Sequence, residues 1–235
     1  MRDTGLLWIG MAVITIVISG CSKDDREPTS PEQPGARPGA VGAGGAGANV
    51  ASDEDFVRDV AMKNMAGIEL SRMALDKATS PDIKAYAQST IDDHSAAGNE
   101  LKSVVSGQPL DWPAQLDDDH RSTADELAQK QGGDFDRDYL EAMVDGHRDL
   151  AAKLESRLDV QSLADWKTAA AARTHSKAMP DPEIAMRDVH IRPGRSDNEI
   201  TTKINQWAAD TYPVAQKHLD TATRLTNATE KGSIN

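Results

Sequence analysis

The chain has 235 residues, with 38 Asp and Glu against 26 Lys and Arg, a net charge of −12, a single cysteine and only 4% aromatic residues. The acidic balance argues against a nucleic-acid ligand and against adhesion to anionic lipid surfaces. One cysteine allows no internal disulfide, so the fold must rest on a packed core, and the chain is long enough to build one.

The N-terminus reads as an address. Arg2 supplies a positive charge, and the apolar stretch from Leu6 to Ile18 is too short for a comfortable membrane span. Ile18-Ser19-Gly20-Cys21 closes it. This resembles the bacterial lipoprotein signal, which implies removal of residues 1–20, lipidation of Cys21 and a new N-terminus there. Ser22 in place of Asp implies sorting to the outer membrane, facing the periplasm. With its thiol acylated, the mature chain has none left for disulfide or thiolate chemistry. Residues 22–51, with Pro28, Pro31, Pro34, Pro38 and a Gly/Ala run, bury too little apolar area to order. They are expected to be a disordered tether, and residues 229–235 a disordered tail.

Residues 52–228 read as an all-α domain, an up-down four-helix bundle. Apolar residues recur at three- and four-residue spacing over about 54–77, 81–106, 135–158 and 198–226. Val57, Val60, Ala61, Met65, Ile68 and Leu75 form the expected inner stripe of the first. A shorter helix is expected near 115–130, and another over Ala164–Thr174. Ser80-Pro81 reads as an N-cap followed by proline at the first helical position. Ser196–Glu199 reads as a capping box, and Gly107 and Gly132-Gly133 as helix stops. Pro213 should kink the last helix near Ala209. Residues 176–196 form an irregular insertion. The segments Asp55–Asp59 and Asp134–Asp138 are alike, which suggests two related helical hairpins.

Four of the six histidines fall in apolar stripes. His94, His147 and His218 lie on three long helices, and His120 on the short one. On the first helix Glu69 joins a neighbouring stripe of Met62, Met65 and Met73. At 1.5 Å per residue His94 and His147 lie near mid-height, with Glu69 about 5 Å and His218 about 9 Å off-centre. Inward imidazoles and a carboxylate suit zinc, copper or iron, and a thioether such as that of Met65 favours Cu(I). The competing reading is a satisfied polar core, with Asp92, Asp93 and Asp145 as partners of His94 and His147. Di-iron bundles carry Glu three residues before a ligand histidine, where this chain has Ile91, Val144 and Ala215. That argues against a di-iron cofactor. His175, Met179, Met186 and His190 lie in the insertion without ligand-like spacing.

Ile91-Asp92-Asp93-His94-Ser95, Asp134-Phe135-Asp136-Arg137-Asp138-Tyr139-Leu140 with Met143-Val144-Asp145-Gly146-His147, and Tyr212-Pro213 with His218-Leu219 occur in this order. In these segments the chain resembles the bacterial family "domain of unknown function 4142" over residues 52–226. The resemblance implies an exported protein or lipoprotein, a ferritin-like bundle, and His94, His147 and His218 as signature positions. It implies no activity, and residues 160–197 depart from its usual pattern. No Ser-His-Asp set, phosphate-binding glycine loop or zincin motif is present. The expected function is a non-enzymatic envelope lipoprotein, partnered by the membrane and an envelope protein, with zinc or copper at the histidines. A metal-dependent periplasmic enzyme and a structural or stress-related envelope module are the alternatives.

Overall fold

The computed structural model describes residues 45–174 and 190–232, with side chains over 53–172 and 190–232. Cys21, the apolar run before it, residues 22–44 of the expected tether and His175, Met179 and Met186 lie outside the described residues. The chain divides into two units, Met1–Val41 and Gly42–Asn235, and only the second is described. No helix among the described residues is long and apolar enough to cross a membrane.

The fold is all-α. Among the described residues its helices are α1 (Gly45–Lys77), α2 (Pro81–Val104), α3 (Asp118–Ala128), α4 (Gly132–Glu155), α5 (Val160–Thr174) and α6 (Glu199–Glu230). The only β feature among the described residues is an isolated bridge, Leu158 to Pro193. Helix α1 begins inside the stretch expected to be tether, because Ala48 to Ala51 continue a helix already nucleated downstream. Helix α6 runs unbroken through Pro213 to Glu230, past the expected start of the tail.

Helix ends follow local chemistry, with three corrections. Ser80 is extended and Pro81 opens α2, but the Ser80 side chain makes no cap bond. The buried Asp136 carboxylate holds this corner instead, accepting the Thr79 N–H at 3.1 Å. The cap of α6 is Asn198, whose Oδ1 accepts from the N–H groups of Ile200 and Thr201 at 2.9 and 3.1 Å. The Ser196 hydroxyl accepts from the Asn198 N–H and not from that of Glu199, so the expected capping box is absent. Gly132 opens α4 rather than stopping a helix, with a φ of 58° that a side chain would resist.

Around the bundle the order is α1, α2, α6, α4. Cross-helix pairs set the directions. Asp53–Arg157 and Lys63–Asp149 place α1 antiparallel to α4. Trp207 Nε1 donating to the Ala97 carbonyl, with His218–Asp93, does the same for α2 and α6. Helices α2 and α4 are therefore parallel across the diagonal, and residues 105–131 must travel the length of the bundle. Helix α3 lies in that crossing and is pinned along α1. The Asp117 N–H points to Met62 Sδ at one end, and Lys77 Nζ donates to the Ala128 carbonyl at the other.

The core has two apolar halves. Phe56, Val60, Leu101, Leu154, Ile204, Trp207 and Tyr212 fill one. Ile83, Tyr86, Phe135, Tyr139, Leu140 and Leu225 fill the other. On each of the four long helices the chain passes from one half to the other through a short intervening stretch. Those stretches carry Gly67 on α1, His94 on α2, His147 on α4 and His218 on α6.

Candidate functional site

Three helices deliver a histidine to the layer between the apolar halves because each residue continues its helix's buried stripe at helical spacing. His94, His147 and His218 are 5%, 2% and 2% exposed. Their ring centroids lie 5.1 Å (94–147), 5.7 Å (94–218) and 5.3 Å (147–218) apart. His218, expected some 9 Å off-centre, thus shares the layer with the other two. The fourth helix contributes no ligand. Gly67 stands there, and a Cβ on it would come 2.9 Å from His94 Nδ1. The glycine lets α1 press its backbone onto the imidazole, while Asn64 Nδ2 donates to the His94 carbonyl at 2.7 Å. Gly67→Ala should therefore displace the His94 ring and destabilise the domain by about 1–3 kcal/mol, read from urea unfolding.

Hydrogen bonds fix the tautomers in part. His147 Nδ1 lies 2.8 Å from the Met143 carbonyl, which can only accept, so the proton is on Nδ1 and Nε2 is a bare acceptor. That Nε2 faces His94 Nε2 at 3.2 Å. His94 Nδ1 is buried without a hydrogen-bond partner. With its proton on Nε2, His94 bonds His147 and leaves Nδ1 an unmet acceptor. With its proton on Nδ1, two lone pairs confront each other. Either neutral form carries an unsatisfied nitrogen, which is costly in a buried layer. His218 Nε2 lies 2.9 Å from Asp93 Oδ2 and donates to it. Tyr86 meets His218 edge-on at 5.8 Å and lies 3.5 Å from His147 Nδ1.

All three rings are held below the ordinary histidine range. Burial lowers His94 to about 3, helped by its two neighbouring imidazoles and opposed by the Asn64 backbone and the Asp93 carboxylate. Burial lowers His147 to about 4, against the pull of the Met143 carbonyl. Burial also lowers His218, with Asp93 opposing. At neutral pH the layer holds uncharged imidazoles, the form that ligates metals.

A cavity of about 260 Å³ reaches this layer, lined by His94 and His147 and, on its more exposed side, by Lys63, His120, Asp145 and Asp149. A second groove, of about 340 Å³ between α1 and α2, is lined by Met65, Glu69 and the other side of His94. The expected ligand Glu69 does not join the layer. Its side chain is 49% exposed and sits 3.8 Å from Arg72, because the methionine stripe it belongs to is the half-buried flank of α1. Met65 is half-buried on that flank. Asp145 pairs with Arg148 and not with His147, and Asp93 serves His218 instead of His94. His120 is half-buried in the crossing segment, outside the layer, and His190 is exposed. Gly67, Asn64 and Tyr86 carried no sequence signal of their own.

The donor set is limited. Among the described residues no three His, Cys, Asp or Glu side chains form a ready-made metal-holding group. The layer offers two converging nitrogens, His94 Nε2 and His147 Nε2, and an open side toward the cavity. Two imidazole ligands at about 2.0–2.1 Å in tetrahedral geometry stand about 3.3 Å apart. The observed 3.2 Å matches that spacing.

No curated protein and no solved structure matches the chain. A family match covers residues 39–179, which includes His94, His120 and His147 and stops before His218. That stretch is more than half of the 235 residues, and the chain belongs to the family described as Domain of unknown function (DUF4142).

Proposed function

We propose that the protein is a lipid-anchored bacterial envelope protein whose helical bundle binds a transition-metal ion, zinc or copper, without catalysing a reaction. One observation carries the metal reading: two uncharged imidazoles converge through Nε2 at 3.2 Å, the spacing of two imidazole ligands on one tetrahedral ion. A cation between them turns opposed lone pairs into ligands. The Met143 carbonyl fixes the His147 ring from behind, as outer partners of metal-bound histidines do. The remaining coordination positions face the cavity and would be filled by water or by a movement of His218 away from Asp93.

Thermal melting of the chelator-stripped protein with added Zn(II), and with Cu(I) under reducing conditions, tests this. Metal at 100 times its Kd should stabilise the native state by about 2.7 kcal/mol. His94→Ala/His147→Ala should remove the shift. A wild-type melting curve unmoved by either metal supports the structural alternative instead.

The anchor is part of the same reading. It rests on Ile18-Ser19-Gly20-Cys21 behind an apolar run and on the Pro/Gly/Ala-rich stretch that follows. Cys21→Ser should move the protein from the membrane fraction to the soluble one. Retention with membranes would disprove the lipid anchor.

A further inference from the structure

The cavity beside the histidine layer borders a nitrogen that the metal reading does not use. His94 Nδ1 has no hydrogen-bond partner, in a residue only 5% exposed. Gly67 shows which way that nitrogen faces. A Cβ there would stand 2.9 Å from His94 Nδ1 and 3.0 Å from Cε1, and would meet no other side chain within 4 Å. The Nδ1–Cε1 edge of His94 therefore borders the gap left by the missing side chain, and both residues line the cavity. The buried part of the cavity wall is apolar: Ala66, Leu70, Met143 and Leu150 are at most 6% exposed. The charges on the more exposed side are paired, Lys63 with Asp149 and Asp145 with Arg148.

We infer that this cavity is a binding site for a small uncharged molecule with an apolar ring and one hydroxyl, the hydroxyl meeting His94 Nδ1. Size allows it. Protein cavities of about 150 Å³ hold a benzene ring, and this one of about 260 Å³ has room for a ring with a substituent. Charge is excluded, because apolar walls and neutral imidazoles offer an ion no partner. A water needs two to four polar partners, and beside Ala66, Leu70, Met143 and Leu150 it would find too few. The hydroxyl follows from the tautomers. The Met143 carbonyl fixes the His147 proton on Nδ1, so His147 Nε2 accepts, and His94 meets it with its own proton on Nε2. His94 Nδ1 is then a bare acceptor. With a metal ion on the two Nε2 atoms the His94 proton stands on Nδ1 instead, as a donor. A hydroxyl serves both states, whereas a carboxylate cannot donate to the first and an ammonium cannot accept from the second. The stripped bundle already offers the acceptor, so the pocket does not depend on the metal site.

Nitrogen-15 NMR of the histidine rings in the chelator-stripped full-length protein, titrated with phenol and with toluene, tests this. Phenol should move the His94 Nδ1 resonance several times as far as toluene, which has no donor. Ala142→Leu, which narrows the cavity from its half-buried wall, should weaken phenol on the order of ten-fold. The ratio of the toluene Kd to the phenol Kd should be about ten-fold higher in the wild type than in His94→Leu, a comparison in which the hydration of the two ligands cancels. A His94 Nδ1 resonance unmoved by phenol up to its solubility limit would overturn the proposal without any variant. An unchanged Kd in Ala142→Leu, or the same ratio in His94→Leu, would also overturn it. Phenol binding without zinc uptake defeats the metal site alone, and zinc uptake without phenol binding defeats the pocket alone.

Discussion

Chelator-treated protein should lose about 4 kcal/mol of stability between pH 7 and pH 5, before most carboxylates begin to titrate. In the unfolded chain histidine takes up its proton near 6.5, whereas the folded bundle holds His94 to about 3 and His147 to about 4. Above about pH 6.5 both rings are neutral in both states and stability does not respond to them. Below it the unfolded chain binds protons that the folded chain refuses, so stability falls as pH falls. Each ring contributes a slope of up to about 1.4 kcal/mol per pH unit. The loss continues until the folded rings protonate, first His147 and then His94. His218 acts in the same direction, since burial lowers it too. Set against a typical stability of about 5–15 kcal/mol, the effect is large. Urea unfolding at pH 7 and pH 5 measures it. His94→Gln/His147→Gln should flatten the dependence, and a wild-type stability equal at the two pH values would show that the rings are not held neutral by burial.

Arg157→Leu should cost about 3–5 kcal/mol, a loss comparable to removing a large core side chain. Arg157 and Asp53 form an ion pair with side chains 11% and 4% exposed, where α1, α4 and α6 meet. The Asp53 carboxylate also accepts from Thr201 Oγ1 at 2.5 Å, and the Arg157 guanidinium lies 4.3 Å from the centre of the Phe56 ring. Removing the cation leaves a buried carboxylate with one hydroxyl partner, and the uncompensated charge dominates the cost. The double variant Asp53→Leu/Arg157→Leu should therefore be less destabilised than Arg157→Leu alone. Denaturant midpoints decide it, and a single-variant loss below about 1 kcal/mol would mean that the pair is screened by solvent.

The helices were legible because apolar residues recur at helical spacing over long stretches, and the same stripes led to His94, His147 and His218. The α1 contribution was not. Its buried stripe runs through Val60, Gly67, Ser71, Ala74 and Ala78, and small residues carry little hydropathy to betray a core face. Met62, Met65 and Met73 outweighed them, which drew Glu69 into a site it does not reach. Partners of the histidines were also hidden. Asp93 precedes His94 in sequence but its carboxylate points across to His218, 125 residues away. The capping of Asp117 onto His120 depends on where α3 begins, and the short segment near residues 115–130 did not fix that start.

X-ray absorption at the zinc edge of protein loaded with one equivalent of Zn(II) reads the ligands that the bundle gives the ion. At least two imidazole nitrogens at about 2.0–2.1 Å are expected, with the imidazole scattering lost in His94→Ala/His147→Ala. Zinc coordinated by carboxylate and water oxygens alone, or an unchanged spectrum in the double variant, would contradict the metal site.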